Sequence, residues 1–231
     1  MSTIFDTHWP WMGIGIACVL IILLFFTNTL RSDLRVNRWY DPFWLAWFSS
    51  TAYFIHNFEE YGIDLFGRHF EFPHLMTQTM HITPEISFFT MINIPLIWIA
   101  GPILAMMSKH RPVISLIMTG LMFTNALSHI VPLISSGMYT SGLFTSIVIF
   151  IPGSLWIYYI RFIKGNLRWS ILIVSLIPPI ITQGLLMLSI LMYRNDFLND
   201  TTVTVFELLN GCLFIIIAFI MEKSFKRKYK N

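Results

Sequence analysis

Apolar residues in this chain come in blocks of about 20, the length an α-helix needs to cross the hydrocarbon core of a bilayer. Seven blocks are legible, at about 11–30, 43–61, 85–107, 112–134, 141–160, 169–192 and 203–221. The links between them are mostly short. This predicts an all-α, polytopic transmembrane helical bundle of seven spans, with residues 1–231 forming one domain. With 55% of residues hydrophobic and only 12% charged, a soluble domain is excluded. The first Lys or Arg is Arg31, so the first block lacks the basic flank of a signal peptide and reads as a retained span. Residues 1–10, with Asp6, His8 and Trp9-Pro10-Trp11, read as an interfacial anchor ahead of it.

Charge placement supplies an orientation. Alternate links and the tail hold 13 of the 15 Lys and Arg residues, from Arg31, Arg35 and Arg38 to the basic tail 222–231. The opposite set holds only Arg68 and Arg194. The positive-inside rule then predicts an outside amino terminus and a cytoplasmic carboxyl terminus, in a membrane such as the bacterial plasma membrane. Membrane lipids suffice as partners for the tail, and no nucleic-acid partner is expected; the oligomeric state stays open. Cys18 and Cys212 fall inside spans with no metal-type neighbour, and read as buried structural thiols.

Within the second block, His56-Asn57-Phe58-Glu59-Glu60 breaks the apolar rule. His56, Glu59 and Glu60 fall at i, i+3 and i+4, one face of a helix. An ionisable group within a span costs roughly 2.5–3.5 kcal/mol on insertion scales. Gly62 reads as the C-terminal cap of this helix, whose start reads as Asp41 capping Pro42. Both carboxylates thus lie at the negative end of the helix dipole, where a cation or a proton is needed to compensate them.

Other polar residues gather at the same, outer end. Asn125 and His129 share a face of the fourth span, His129 at the depth of His56 and Asn125 at that of Asn93. Pro95 predicts a kink beside Asn93; Pro152-Gly153 and Pro178-Pro179 predict two more. Thr83-Pro84-Glu85 reads as N-cap, N1 and N2 of the third span, which explains Glu85 by the helix dipole or leaves it free as a ligand. Glu207 and Asn210 open the seventh span, and the role of Glu207 stays open. The link 62–84 is long for a compact bundle. Phe66, Phe70, Phe72 and Leu75 interleave there with His69, His74 and His81, predicting an amphipathic, extracytoplasmic lid with the three imidazoles at its surface.

Two His and two or three carboxylates suit Zn or Fe with a position open to water. The expected metal ligands are His56, Glu60 and His129, with Glu85 as a fourth or behind a His, and Glu59 as general base. The function expected is a metal-dependent, hydrolase-like enzyme acting on a lipid or lipid-linked small molecule. Two alternatives use the same residues: a metal-free acid/base isomerase of a lipid or sterol-like substrate, and a non-enzymatic proton-coupled transporter or peptide-immunity sensor.

The motif His56-Asn57-Phe58-Glu59-Glu60, an Asn in the next span and then Asn125-Ala-Leu-Ser-His129 resembles the HXXEE family of bacterial membrane proteins, over roughly residues 43 to 160. Where that family's pattern has Tyr-x-Pro-Gly, this chain has Tyr139-Thr-Ser-Gly142, with Ser141 in place of Pro. The resemblance implies a shared site at His56, Glu59, Glu60, Asn125 and His129, and the residues expected to be catalytic are Glu59 and Asn125. It supplies no reaction.

Overall fold

A computed structural model describes residues 4–228 as an all-α bundle. Its helices are α1 Ile4–Phe26, α2 Pro42–Tyr61, α3 Glu71–Met80, α4 Ile86–His110, α5 Ile114–Ser136, α6 Leu143–Lys164, α7 Trp169–Arg194 and α8 Asp200–Lys228. Six of them, α1 and α4 to α8, are long and apolar enough to cross a membrane, as in an integral membrane protein.

The seventh expected span is α2, and it differs in kind. It is 20 residues long, yet its composition is too polar for it to stand among the six. Fifteen of its residues are buried, because protein and not lipid surrounds it. A helix walled by other helices can carry polar side chains where each finds a partner across the interface. Ser49 Oγ lies 2.9 Å from Thr119 Oγ1, Ser50 Oγ donates to Gly101 O, and the Tyr53 hydroxyl donates to Leu121 O. These tie α2 to α4 and α5. Asp41 caps its start by accepting from Phe43 N, with Pro42 in the first position, and Gly62 closes its end, all as expected.

Several boundaries move. α1 begins at Ile4, not near residue 11, so Asp6 and Trp9 become buried helix residues, and Asp6 accepts from Thr90 Oγ1 of α4. Residues 1–3 of the expected anchor lie outside the described residues. The expected tail is helical as far as Lys228, because Glu222 turns inward and accepts from Val113 N and Ile114 N at the start of α5; residues 229–231 lie outside the described residues. Cys18 and Cys212 are exposed, not buried: both sit on outward faces of helices that pack on one side only. The helix α4 starts at Ile86, with Glu85 rather than Thr83 at its cap.

Proline shapes α4 and α6. Pro95 and Pro102 each withhold an N–H, and the ladder between them loosens to a π-helix over Ile94–Ala100. A similar stretch, Ser146–Phe150, precedes Pro152 in α6. α7 keeps one continuous helical assignment through Pro178 and Pro179.

The π-stretch of α4 brings its backbone against α8. A Cβ on Gly211 would stand 2.6 Å from Pro95 Cβ. Gly211→Ala is expected to destabilise the protein by about 1–3 kcal/mol through overpacking. Gly184→Ala, where a Cβ meets nothing within 4 Å, is expected to leave stability unchanged or slightly raised. Thermal unfolding of both variants in detergent checks the contrast.

Candidate functional site

The carboxyl-terminal turn of α2, the second half of α5 and the first turn of α6 meet at one end of the bundle. His56 and Glu60 come from α2 and His129 from α5; all three side chains are buried. Glu60 Oε1 is shared. It lies 3.4 Å from His56 Nε2 and 3.2 Å from His129 Nε2. One ligand atom from each residue fits within a mutual distance of 4.8 Å, the geometry of a group able to hold a metal ion. Phe150 walls the His56 ring at 4.4 Å between centroids and Phe72 faces His129 at 6.3 Å, so the group is dry on these sides.

Glu59 does something different. Its Oε1 accepts from the Tyr139 hydroxyl and from Phe144 N, both at 3.1 Å. Its Oε2 accepts from Thr145 N at 2.7 Å and Thr145 Oγ1 at 2.6 Å. Gly142 is the N-cap of α6, so these backbone donors are its second and third residues. A carboxylate from α2 thus caps α6 from outside and sits at the positive end of its dipole, an arrangement worth about 1–2 kcal/mol. Four donors fill the four lone-pair directions of the carboxylate. Burial, with the Glu59 carboxylate alongside, pushes the Tyr139 phenol well above its ordinary pKa, so it remains a donor.

Thr145 links the two carboxylates' surroundings. Its single hydroxyl proton goes to Glu59 Oε2. His56 Nδ1, 2.7 Å from the same hydroxyl oxygen, must then be the donor in that contact. With Nδ1 taken up by Thr145, Nε2 of His56 faces Glu60 Oε1 and has no hydrogen-bond partner. A lone pair facing a carboxylate is repulsive unless a cation or a proton lies between them. On the other side, His129 Nδ1 is held at 3.1 Å by Thr140 Oγ1.

The turn 139–142 closes over the group. Ser141 Oγ donates to Glu59 O at 2.6 Å, and Gly142 has φ +93°. A Cβ at Gly142 would lie 2.7 Å from His129 Cε1, 2.8 Å from His56 Cε1 and 3.1 Å from Glu60 Cγ. Position 142 requires Gly on both counts, conformation and space.

A cavity of about 690 Å³ opens beside the group, with Glu60 and His129 in its wall. Asn93, Asn125, Glu207 and Asn210 line it as well, joined by Asn57 from within the motif. Phe72, Leu75 and Met76 of α3 form part of its apolar wall. The turn leading into α3 is braced by Asp64, which accepts from Arg68 Nε at 2.8 Å and from Phe66 N and Arg68 N. Burial raises the Asp64 pKa, but these bonds and the Arg68 charge outweigh it and hold the carboxyl below its usual range.

Glu85, expected as a fourth ligand, does not join the group. It is exposed at the N-cap of α4, where its N–H donates to Asp200 Oδ1, because α4 starts at the rim and not beneath the His residues. His69, His74 and His81 are all exposed. Thr140, Thr145 and Gly142 are the site residues that sequence reasoning passed over. Their one signal was the turn Tyr139-Thr-Ser-Gly142 followed directly by a span.

Residues 47–157 match a family described as "Protein of unknown function with HXXEE motif". Over that segment, just under half of the chain, the protein is similar to the HXXEE family. The matched segment spans most of α2, all of α3, α4 and α5 and most of α6, so it contains the whole His56/Glu60/His129 group and the turn that closes it. α1, α7 and α8 lie outside it. No curated protein and no solved structure matches the chain.

Gly142→Ala is expected to lower stability by more than Gly137→Ala. Both positions have positive φ, +93° and +68°, but a Cβ at Gly137 meets nothing within 4 Å. The shared backbone strain is of order 1–3 kcal/mol, and the excess at 142 reads the clash with the two imidazoles. Parallel thermal melts in detergent measure that excess.

Proposed function

We propose that this protein is a membrane metalloenzyme whose His56, Glu60 and His129 hold a Zn or Fe ion, and that it hydrolyses a lipid or lipid-linked small molecule admitted to the adjoining cavity. The observation that carries the metal is the pairing of two imidazole nitrogens with one carboxylate oxygen at 3.4 and 3.2 Å. A tetrahedral ion with bonds of about 2.0–2.1 Å sets its ligands roughly 3.3 Å apart. The donor set agrees: His56 Nε2 faces that point with no hydrogen-bond partner.

Such an ion supplies Lewis acidity, polarising a substrate oxygen or lowering the pKa of water. The chain does the rest. Thr145 and Thr140 fix the two rings through their Nδ1 atoms, so that both Nε2 atoms point at the Glu60 oxygen. Glu59, taken up by four donors, positions α6 and its Thr145 rather than serving as general base. Asn125, one turn before His129 on α5, presents an unpartnered Oδ1 and lines the cavity, where it can orient a substrate donor. The apolar wall and α3 favour a lipid-like substrate over a small polar metabolite, with α3 as the lid.

The basic links gather at the opposite end of the bundle, where Arg38 donates to Leu24 O and Lys226 to His110 O. With α2 counted as a seventh, protein-enclosed crossing, the charge bias places the amino terminus outside and the carboxyl terminus in the cytoplasm. The site then faces the extracytoplasmic side of a bacterial plasma membrane.

Elemental analysis of the detergent-purified protein tests this reading. The expected outcome is about one Zn or Fe per chain, lost in His56→Ala and His129→Ala while both remain folded. Thr145→Val, which unties Nδ1 of His56, is expected to weaken metal retention by about 10–100-fold. Wild-type protein free of metal after purification without chelator would remove the metalloenzyme and leave metal-free acid/base chemistry between Glu60 and His129.

A further inference from the structure

Beyond the His56/Glu60/His129 group, the cavity wall carries buried polar atoms with no hydrogen-bond partner among the described residues. Asn57 is 2% exposed, and neither its Nδ2 nor its Oδ1 has a partner. Asn210 is 4% exposed; its Nδ2 donates to Thr182 O and to Glu207 Oε2, which fixes the amide orientation and leaves Oδ1 unpartnered. Thr182 Oγ1 is unpartnered as well. All of these residues line the one cavity. Buried amides and hydroxyls are nearly always paired, so a cluster of unpaired ones around a space marks what that space accepts.

Glu207 gives the cluster its sign. It is 1% exposed, and its oxygens accept from Ser189 Oγ at 2.5 Å and Asn210 Nδ2 at 2.9 Å, both neutral donors. No ion pair reaches it among the described residues, and no Lys or Arg lines the cavity. Beside Glu207 a phosphate or carboxylate head group would meet only acidic and neutral groups. A cation bearing N–H donors meets a carboxylate and at least three unpartnered oxygen acceptors. Leu186, Met187 and Ile190 of α7 continue the lining as an apolar surface, matching an alkyl chain attached to that head.

We propose that Asn57, Thr182, Glu207 and Asn210 form a recognition site for the primary ammonium group of a long-chain amine or aminolipid. This rests on the reading above that the cavity admits a lipid-like molecule, and it narrows the substrate class to amphiphiles with a donor-bearing cationic head. Glu207 supplies the charge; the three neutral side chains select N–H donors over an alkylated cation of equal charge.

Native mass spectrometry of the detergent-purified protein tests it with three probes: dodecylamine, dodecyltrimethylammonium and dodecanol. The expected result is a one-to-one dodecylamine adduct formed at least about tenfold more tightly than either of the others, the scale of a charge-assisted hydrogen bond. Glu207→Gln, close to isosteric, is expected to abolish that preference, and Asn57→Ser to reduce it; His129→Ala is expected to leave it in place. Equal binding of the two cations by wild type would overturn the proposal, as would a preference unchanged in both Glu207→Gln and Asn57→Ser. The same spectra report bound metal by mass. A missing metal with an intact amine preference removes the metalloenzyme and not this site; bound metal with no amine preference removes this site alone.

Discussion

The contact between the Glu59 carboxylate and the first turn of α6 is the interaction on which the site depends. Alone, each partner is costly: an acid at the negative end of α2, and open backbone donors at the start of a helix deep in the bundle. Together each satisfies the other. The contact also sets the distance between α2 and α6, and so brings Thr145 to His56 and Gly142 down onto both imidazoles. Glu222 repeats the device at the opposite end, where a carboxylate of α8 accepts from the first residues of α5. Both are long-range caps that lock helices end to side, where apolar packing in lipid supplies little directional preference.

The two adjacent glutamates of the motif thus divide their work. Glu59 faces a helix dipole and four donors; Glu60 faces two imidazoles and a cavity. Their side chains differ by one position on the helix, about 100° of rotation, and that rotation separates the carboxylate that caps α6 from the one that meets the imidazoles. The cavity beside Glu60 exists because α4 loosens into a π-helix at Pro95 and packs closely on Gly211, while α3 closes over the top with Leu75 and Met76. Its polar lining then comes from α2, α4, α5, α7 and α8, which no local segment could provide.

Much was legible beforehand because membrane helices obey strong local rules. Block length and hydropathy located all seven long helices to within a few residues at most ends, and Asp41-Pro42 and Gly62 marked the limits of α2. His56, Glu60 and His129 were legible from depth and spacing, since ionisable groups are rare in spans. The misplacements have physical causes. Asp6 reads as an interfacial residue until Thr90 of a distant helix donates to it, and Glu85 caps the exposed start of α4 instead of joining the His residues. Cys18 and Cys212 face outward, which the sequence alone does not reveal because outward faces in lipid are as apolar as the core.

By itself the sequence determined the all-α architecture, the seven long helices and the three side chains His56, Glu60 and His129 that converge, because hydropathy and helical spacing act along the chain. Only the tertiary structure decided which carboxylate caps α6 and which meets the imidazoles. It also decided that Thr140, Thr145 and Gly142 complete the site, and that Asn57, Glu207 and Asn210 share one cavity. Those outcomes depend on rotation and contact between helices distant in sequence, and the bilayer, apolar on every side, imposes no rule on them that can be read from one segment at a time.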